Sequence, residues 1–175
     1  LAASGLKNWV NGKFWKHFFK VSLVGVLLFW YLFEAALAYP FYLSYFNQFG
    51  GGVSGGYRSV TDSNYDWGQD LKRLKDWAEK NLPAGRQVAV DYFGGGDVKY
   101  YLGDKAVNWW SGKGNPRDIG IEWLAVSVNT LQSALAKPAS GFQRNPEDEY
   151  NWLKEIQNPL QPDFKAGTSI FIFHL

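Results

Sequence analysis

Nineteen residues, "VSLVGVLLFWYLFEAALAY" from Val21 to Tyr39, carry a single charge, Glu34. About 20 mostly apolar residues in a helix match the hydrocarbon core of a bilayer, so this stretch is long enough to span. A secretory signal peptide is the competing reading, because "ALA" at 36–38 resembles a cleavage site. The run is longer than a usual signal core, and aromatic residues crowd directly behind it; both favour a spanning helix. Lys7, Lys13, Lys16 and Lys20 precede it, and no Lys or Arg follows until Arg58. The positive-inside rule then puts residues 1–20 in the cytoplasm and the chain after about residue 40 outside, anchored in the cell membrane. Trp15, Phe18 and Phe19 at one end, and Tyr39, Phe41, Tyr42, Tyr45 and Phe46 at the other, read as two aromatic belts. Glu34, near the outer end, reaches either the interface or a neighbouring helix.

A net charge of +2 is too small to suggest a nucleic-acid surface. The chain has no Cys, which excludes disulfides and thiolate metal sites, and its two His, His17 and His174, lie far apart in sequence. No metal ligands are therefore assigned. Aromatic residues make up 18% of the chain, with nine Trp; that suits membrane interfaces, carbohydrate contacts or a large aromatic core. There is no Met and the sequence begins at Leu1, so a piece of a longer protein is expected.

Residues 40–56 read as an interfacial aromatic segment followed by a flexible linker, since "GGGVSGG" (50–56) holds five Gly in seven residues. From residue 57 to 175 strand and helix patterns alternate. "YRSVT" (57–61) predicts a strand. Asp62 or Ser63 then caps a helix, with Ser63 and Asp66 as a capping box and Trp67, Leu71, Leu74 and Ala78 on its buried face. Further strands are expected at 87–93, 106–110, 122–129 and 168–175. "VKYYL" closed by Gly103, the region near "LQSALA", and "NPEDEYNWLKEI" with Asn145 as cap are expected helices. The fold class is thus α/β: one N-terminal transmembrane helix, then a small layered α/β domain with a largely parallel sheet.

In open α/β sheets ligands collect beyond the carboxyl ends of the strands. Asp62, Asn64, Asp66 and Gln69 follow the first expected strand, Asp91 and Asp97 flank the Gly run after the second, and Asn129 ends the strand at 122–129. These seven are the candidate substrate-binding residues. Their oxygen-rich set suits sugar hydroxyls or a hard cation; as cap and turn residues they equally suit local structure alone. Trp109, Trp110 and Trp123 either stack on sugar rings or fill the core. Arg117 and Arg144 either meet anionic groups or are ordinary surface residues.

Four blocks together, "YPFYLSYFNQFGGG", "GYRSVTDSNYDWGQDLKRLKDW", "DYFGGGDVKYYLG" and "AGTSIFIFHL", resemble the C-terminal part of bacterial membrane glycosyltransferases of the GT-C class. These are similar to the dolichyl-phosphate-mannose–protein mannosyltransferases. The resemblance covers residues 39–175 in discontinuous blocks, and "DSNYDWGQDL" is its most specific part. It implies a multi-pass parent enzyme that takes a sugar from a polyprenyl-phosphate donor, with a divalent cation as an optional requirement, and transfers it outside the cytoplasm. It also implies that residues 21–39 are the last membrane helix, packed with the preceding membrane helices of the same protein, and that 57–175 form a non-catalytic extracytoplasmic domain that meets a glycan or protein acceptor. The family's catalytic acid lies in a first outer loop that no position here matches, so no catalytic residue and no cofactor are assigned to this stretch. A membrane-anchored carbohydrate-binding or structural module is the alternative.

Overall fold

The unbroken apolar run produces helix α1, Phe14–Ala38. In the computed structural model, which describes residues 14–60, 65–138 and 140–175, the chain divides into two units at Tyr42 and Leu43. From Lys16 to Leu37 the side chains of α1 are exposed or half-buried. Among the described residues it is the one helix long and apolar enough to cross a membrane. Lys7, Lys13, the side chain of Trp15, and Asp62, Ser63 and Asn64 lie outside the description.

The second unit is an α/β fold around a five-stranded sheet. Its strands are β1 (Val88–Asp91), β2 (Ala106–Asn108), β3 (Trp123–Ser127), β4 (Phe164–Ala166) and β5 (Ile170–His174), in spatial order β2-β1-β3-β5-β4. Its helices are α2 (Gly52–Gly55), α3 (Leu71–Asn81), α4 (Val98–Leu102), α5 (Val128–Leu135) and α6 (Asn151–Ile156). β1 runs parallel to both β2 and β3, whereas β5 is antiparallel to β3 and to β4. The sheet is therefore mostly but not fully parallel: β5 alone runs against the other four strands. β5 lies within the strand expected over 168–175; the turn at Gly167, Thr168 and Ser169 pairs it with β4, where no strand was expected.

Strand alternation sorts the core into two layers. Val88, Val90, Ala125, Ile170 and Ile172 face Leu71, Leu74, Trp77 and Ala78 of α3 and Val98 and Leu102 of α4. Ala89, Leu124, Val126, Phe171 and Phe173 face Val128, Leu131 and Ala134 of α5 and Leu153 of α6. Helices thus cover both faces, which is why these strands read as nearly continuous apolar runs.

Other expectations are corrected. The strand over 57–61 is instead a 3-10 turn at Gly56–Arg58, and Tyr57 packs edge-on against Phe171 with centroids 5.1 Å apart. Residues 43–56 are built into the unit: Ser44 is buried, and Phe46 packs beside Tyr65 at 6.2 Å. The helix expected from residue 62 or 63 begins at Leu71, because Gly68 takes a φ of +75° that a helix cannot continue. Trp67, placed by spacing on the buried face, is consequently 61% exposed. The helix over 145–156 is broken at Tyr150, whose φ is +51°.

Asp70 joins α3 to the hairpin. It stands at the N-cap of α3 but its side chain caps nothing there. Fully buried, its Oδ2 accepts the backbone N–H groups of Thr168 and Ser169 at 2.7 and 2.8 Å, and its Oδ1 accepts Arg73 at 2.6 Å. Charge-assisted hydrogen bonds of this kind are roughly twice as strong as neutral ones. Gly167 has φ +62°, and a Cβ there would fall on the Asp70 carboxylate. Gly167→Ala should therefore destabilise the unit by about 2 kcal/mol or more, read as a lowered urea midpoint; a change under about 0.5 kcal/mol would show that the anchor is slack.

Candidate functional site

The carboxyl ends of the parallel strands β1, β2 and β3 form one edge of the sheet, and the β4–β5 turn lies at the same edge because Ile170 pairs with Ser127. A cleft of about 780 Å³ opens there, on the α5 and α6 face. Asp91 enters it from the end of β1, Trp110 and Ser111 from beyond β2, and Thr130, Ser133 and Ala134 from α5. Tyr57 and Arg58 form one side, and Phe142, Asp148 and Tyr150 another.

Tyr150 organises this cleft. Its backbone N–H donates to Ser111 Oγ at 2.8 Å and its hydroxyl donates to Asp91 Oδ2 at 2.7 Å. These two tethers hold a non-glycine residue in the left-handed region, a conformation that the surroundings must impose. Burial pushes the Asp91 carboxyl up, the Tyr150 hydroxyl partly offsets this, and Asp148 raises it further. Burial and the neighbouring Asp91 raise the Tyr150 phenol as well, so it stays a hydrogen-bond donor.

The aromatic candidates separate by environment. Trp109 is buried, and its Nε1 donates to the Gly114 carbonyl. Trp123 stacks among Trp77, Phe164 and His174, with centroids 4.4–5.9 Å away. Trp110 alone of the three lines the cleft; it is 51% exposed, with Lys113 Nζ 4.3 Å from its ring centre. Arg144 donates to the carbonyls of Ala134 and Ala136 at 2.7 and 2.6 Å, closing the end of α5. Arg117 is exposed, in a 3-10 turn capped by Asn115.

Of the seven predicted site residues, Asp62 and Asn64 lie outside the described residues and Asp91 lines the cleft. Asp97 is exposed and caps α4, accepting the N–H groups of Lys99 and Tyr100. Gln69 is structural: its Oε1 accepts Trp67 N–H, and its Nε2 donates to Ser44 Oγ and to the Tyr65 carbonyl. Asn129 is buried at the start of α5, with its backbone amide towards Asp66. The Gly run cradles a neighbouring loop: Gly68 and Gly94 allow the two backbones to meet, with Tyr92 donating to the Gly68 carbonyl at 2.8 Å. Sequence reasoning missed Arg58, Phe142, Asp148 and Tyr150, which come from segments with no shared local pattern.

Asp66 is fully buried. Its Oδ1 accepts Gly68 N–H at 2.8 Å, while Oδ2 and the nearby Ser169 hydroxyl lack a partner in good hydrogen-bonding geometry. Burial lifts its carboxyl to about 6, against partial relief from Gly68, Ser169 and the Asn129 amide.

Compared with protein-family models, curated proteins and solved structures, the chain matches none.

The fold holds the Asp66 proton more tightly than the unfolded chain, whose carboxyl titrates near 3.8, so this group lowers stability as pH rises from 3.8 towards 6. Asp66→Asn should flatten that decline, because a neutral amide keeps the Gly68 contact without the buried charge. Urea melts at several pH values between those limits check this, and an unchanged slope in the variant would refute it.

Proposed function

We propose that the second unit is a non-catalytic, extracytoplasmic carbohydrate-binding domain, and that the chain is the C-terminal part of a polyprenyl-phosphate-sugar-dependent membrane glycosyltransferase. One observation carries the binding assignment: the cleft sets the exposed rings of Trp110 and Phe142 beside Asp91, Asp148, Thr130, Ser133 and Arg58. A sugar offers an apolar ring face and a rim of hydroxyls, so it needs a flat aromatic surface and several donors and acceptors together. The cleft's volume falls in the range of about 300–1,000 Å³ common for small-ligand sites. Its place beyond the carboxyl ends of β1, β2 and β3 follows the general rule for open α/β sheets.

The transferase assignment rests on the resemblance of four sequence blocks and on the apolar helix α1 that precedes the domain. The lysines ahead of α1 support a cytoplasmic start and an outer domain. In this reading the domain holds a glycan, or the sugar-bearing part of an acceptor, near the membrane face where other parts of the enzyme perform the transfer. The same cleft also suits a one-helix, membrane-anchored carbohydrate-binding module. Further spanning segments encoded upstream favour the transferase, and an immediate start codon favours the module.

The full chain in detergent should bind a subset of a glycan array, and Trp110→Ala should weaken that binding by about tenfold, the loss of one stacking face. Absence of binding to every oligosaccharide by the unmodified chain would overturn the assignment. Protease added to intact cells should cut within residues 43–175; complete protection there would reverse the topology.

A further inference from the structure

A second cleft, of about 520 Å³, lies on the other side of Tyr57, between Phe49, Ser54, Arg58, Leu160, Pro162 and Lys165. We infer that this cleft and its exposed Phe49 dock on anionic phospholipid headgroups, so that the folded unit rests on the bilayer as well as being tethered to it. The inference rests on α1 spanning the membrane and is independent of the carbohydrate assignment.

Three features support it. The first is charge. Arg58 and Lys165 are both held over the Tyr57 ring, 5.6 and 5.4 Å from its centre, and Lys165 also lies 4.7 Å from the centre of Phe171. Among the described residues no carboxylate lines the cleft and neither cation has an ion-pair partner. Asp163, nearest in sequence to Lys165, instead accepts the backbone N–H of His174 at 2.8 Å. Two cations left without acids attract a negatively charged surface.

The second feature is Phe49. Its side chain is wholly exposed, yet it sits on a built turn, Gln48–Gly50, in which Asn47 Oδ1 accepts Gly50 N–H at 3.0 Å. A single exposed apolar residue is ordinary on a protein surface. An aromatic ring presented beside two cations suits the headgroup boundary, where the ring enters the apolar layer and the cations meet phosphate. Leu160, 38% exposed, adds apolar surface to the same cleft.

The third is tethering. Phe49 lies eleven positions after Ala38, the last residue of α1. At about 3.3–3.6 Å per residue the chain cannot carry Phe49 more than roughly 40 Å from the end of the helix. The patch therefore samples the bilayer surface at high effective concentration, and weak headgroup contacts suffice to hold it there.

The chain has no Cys, so Ser54→Cys gives a single labelling site inside the cleft. The full chain carrying an environment-sensitive fluorophore at that position is placed in nanodiscs of phosphatidylcholine alone, or of phosphatidylcholine mixed with phosphatidylglycerol. Shallow spin-labelled lipid quenches the probe in the anionic discs, and the quenching is lost in Lys165→Glu and at high salt. Phe49→Ser reduces it while leaving the melting temperature unchanged, because Phe49 supports no packing. Neither residue lines the carbohydrate cleft, so glycan binding is retained in both variants. Equal quenching in the two discs, insensitivity to Lys165→Glu, or a probe shift produced by inorganic phosphate in the neutral discs overturns the inference.

Discussion

The second unit depends on one carboxylate. Asp70 is removed from water entirely, and its two oxygens are shared among the backbone of the β4–β5 turn, the Thr168 hydroxyl and Arg73. A buried charge without such partners would be strongly unfavourable, so the turn and the helix must arrive together or not at all. Through Thr168 the network continues to Ser44 and then to Gln69, tying the segment that follows α1 to the same point. Asp70 and Gln69, just ahead of α3, therefore fasten distant segments together, whereas local helix capping is what such residues usually provide.

Much of the fold was legible because it follows from period. The spacing of Leu71, Leu74 and Ala78 marked α3, "VKYYL" with Gly103 marked α4, and the apolar runs around Val90 and Val126 marked β1 and β3. Misreadings arose where tertiary contacts overrode local pattern. Tyr57 is drawn onto the face of Phe171, so a β-like segment never joins the sheet. Gly68 turns the chain where helical spacing would run through Trp67. β4, Phe164–Ala166, is only three residues long, too short for alternation to mark. The site was legible at Asp91, which the strand-end rule reaches directly, and at Trp110 and Arg144, which residue type alone brought forward. Tyr150, Phe142 and Arg58 come from three separate segments, and no periodicity relates them.

Tyr57 and Arg58 stand between the two clefts and line both. The wall is held from the sheet side by Tyr57 against Phe171 and Tyr65, and Tyr65 in turn donates to the carbonyls of Val53 and Thr168. Whatever occupies one cleft therefore presses on a wall continuous with the Asp70 network. In the proposed functions the polyhydroxylated ligand and the lipid surface face opposite sides of the same two residues, which gives a physical basis for bringing a sugar and a bilayer together.

The position of β5 has a consequence for biosynthesis. Ile170–His174 is translated after every element it holds together, yet it lies inside the sheet, between β3 and β4. Until it is made, β4 has no neighbour to pair with, β3 offers an open edge, and Asp70 lacks the turn amides that receive its charge. The unit therefore cannot mature progressively as it is synthesised. Nascent chains that stall short of this strand should display an unpaired sheet edge, the kind of signal by which quality-control proteases distinguish unfinished products from complete ones.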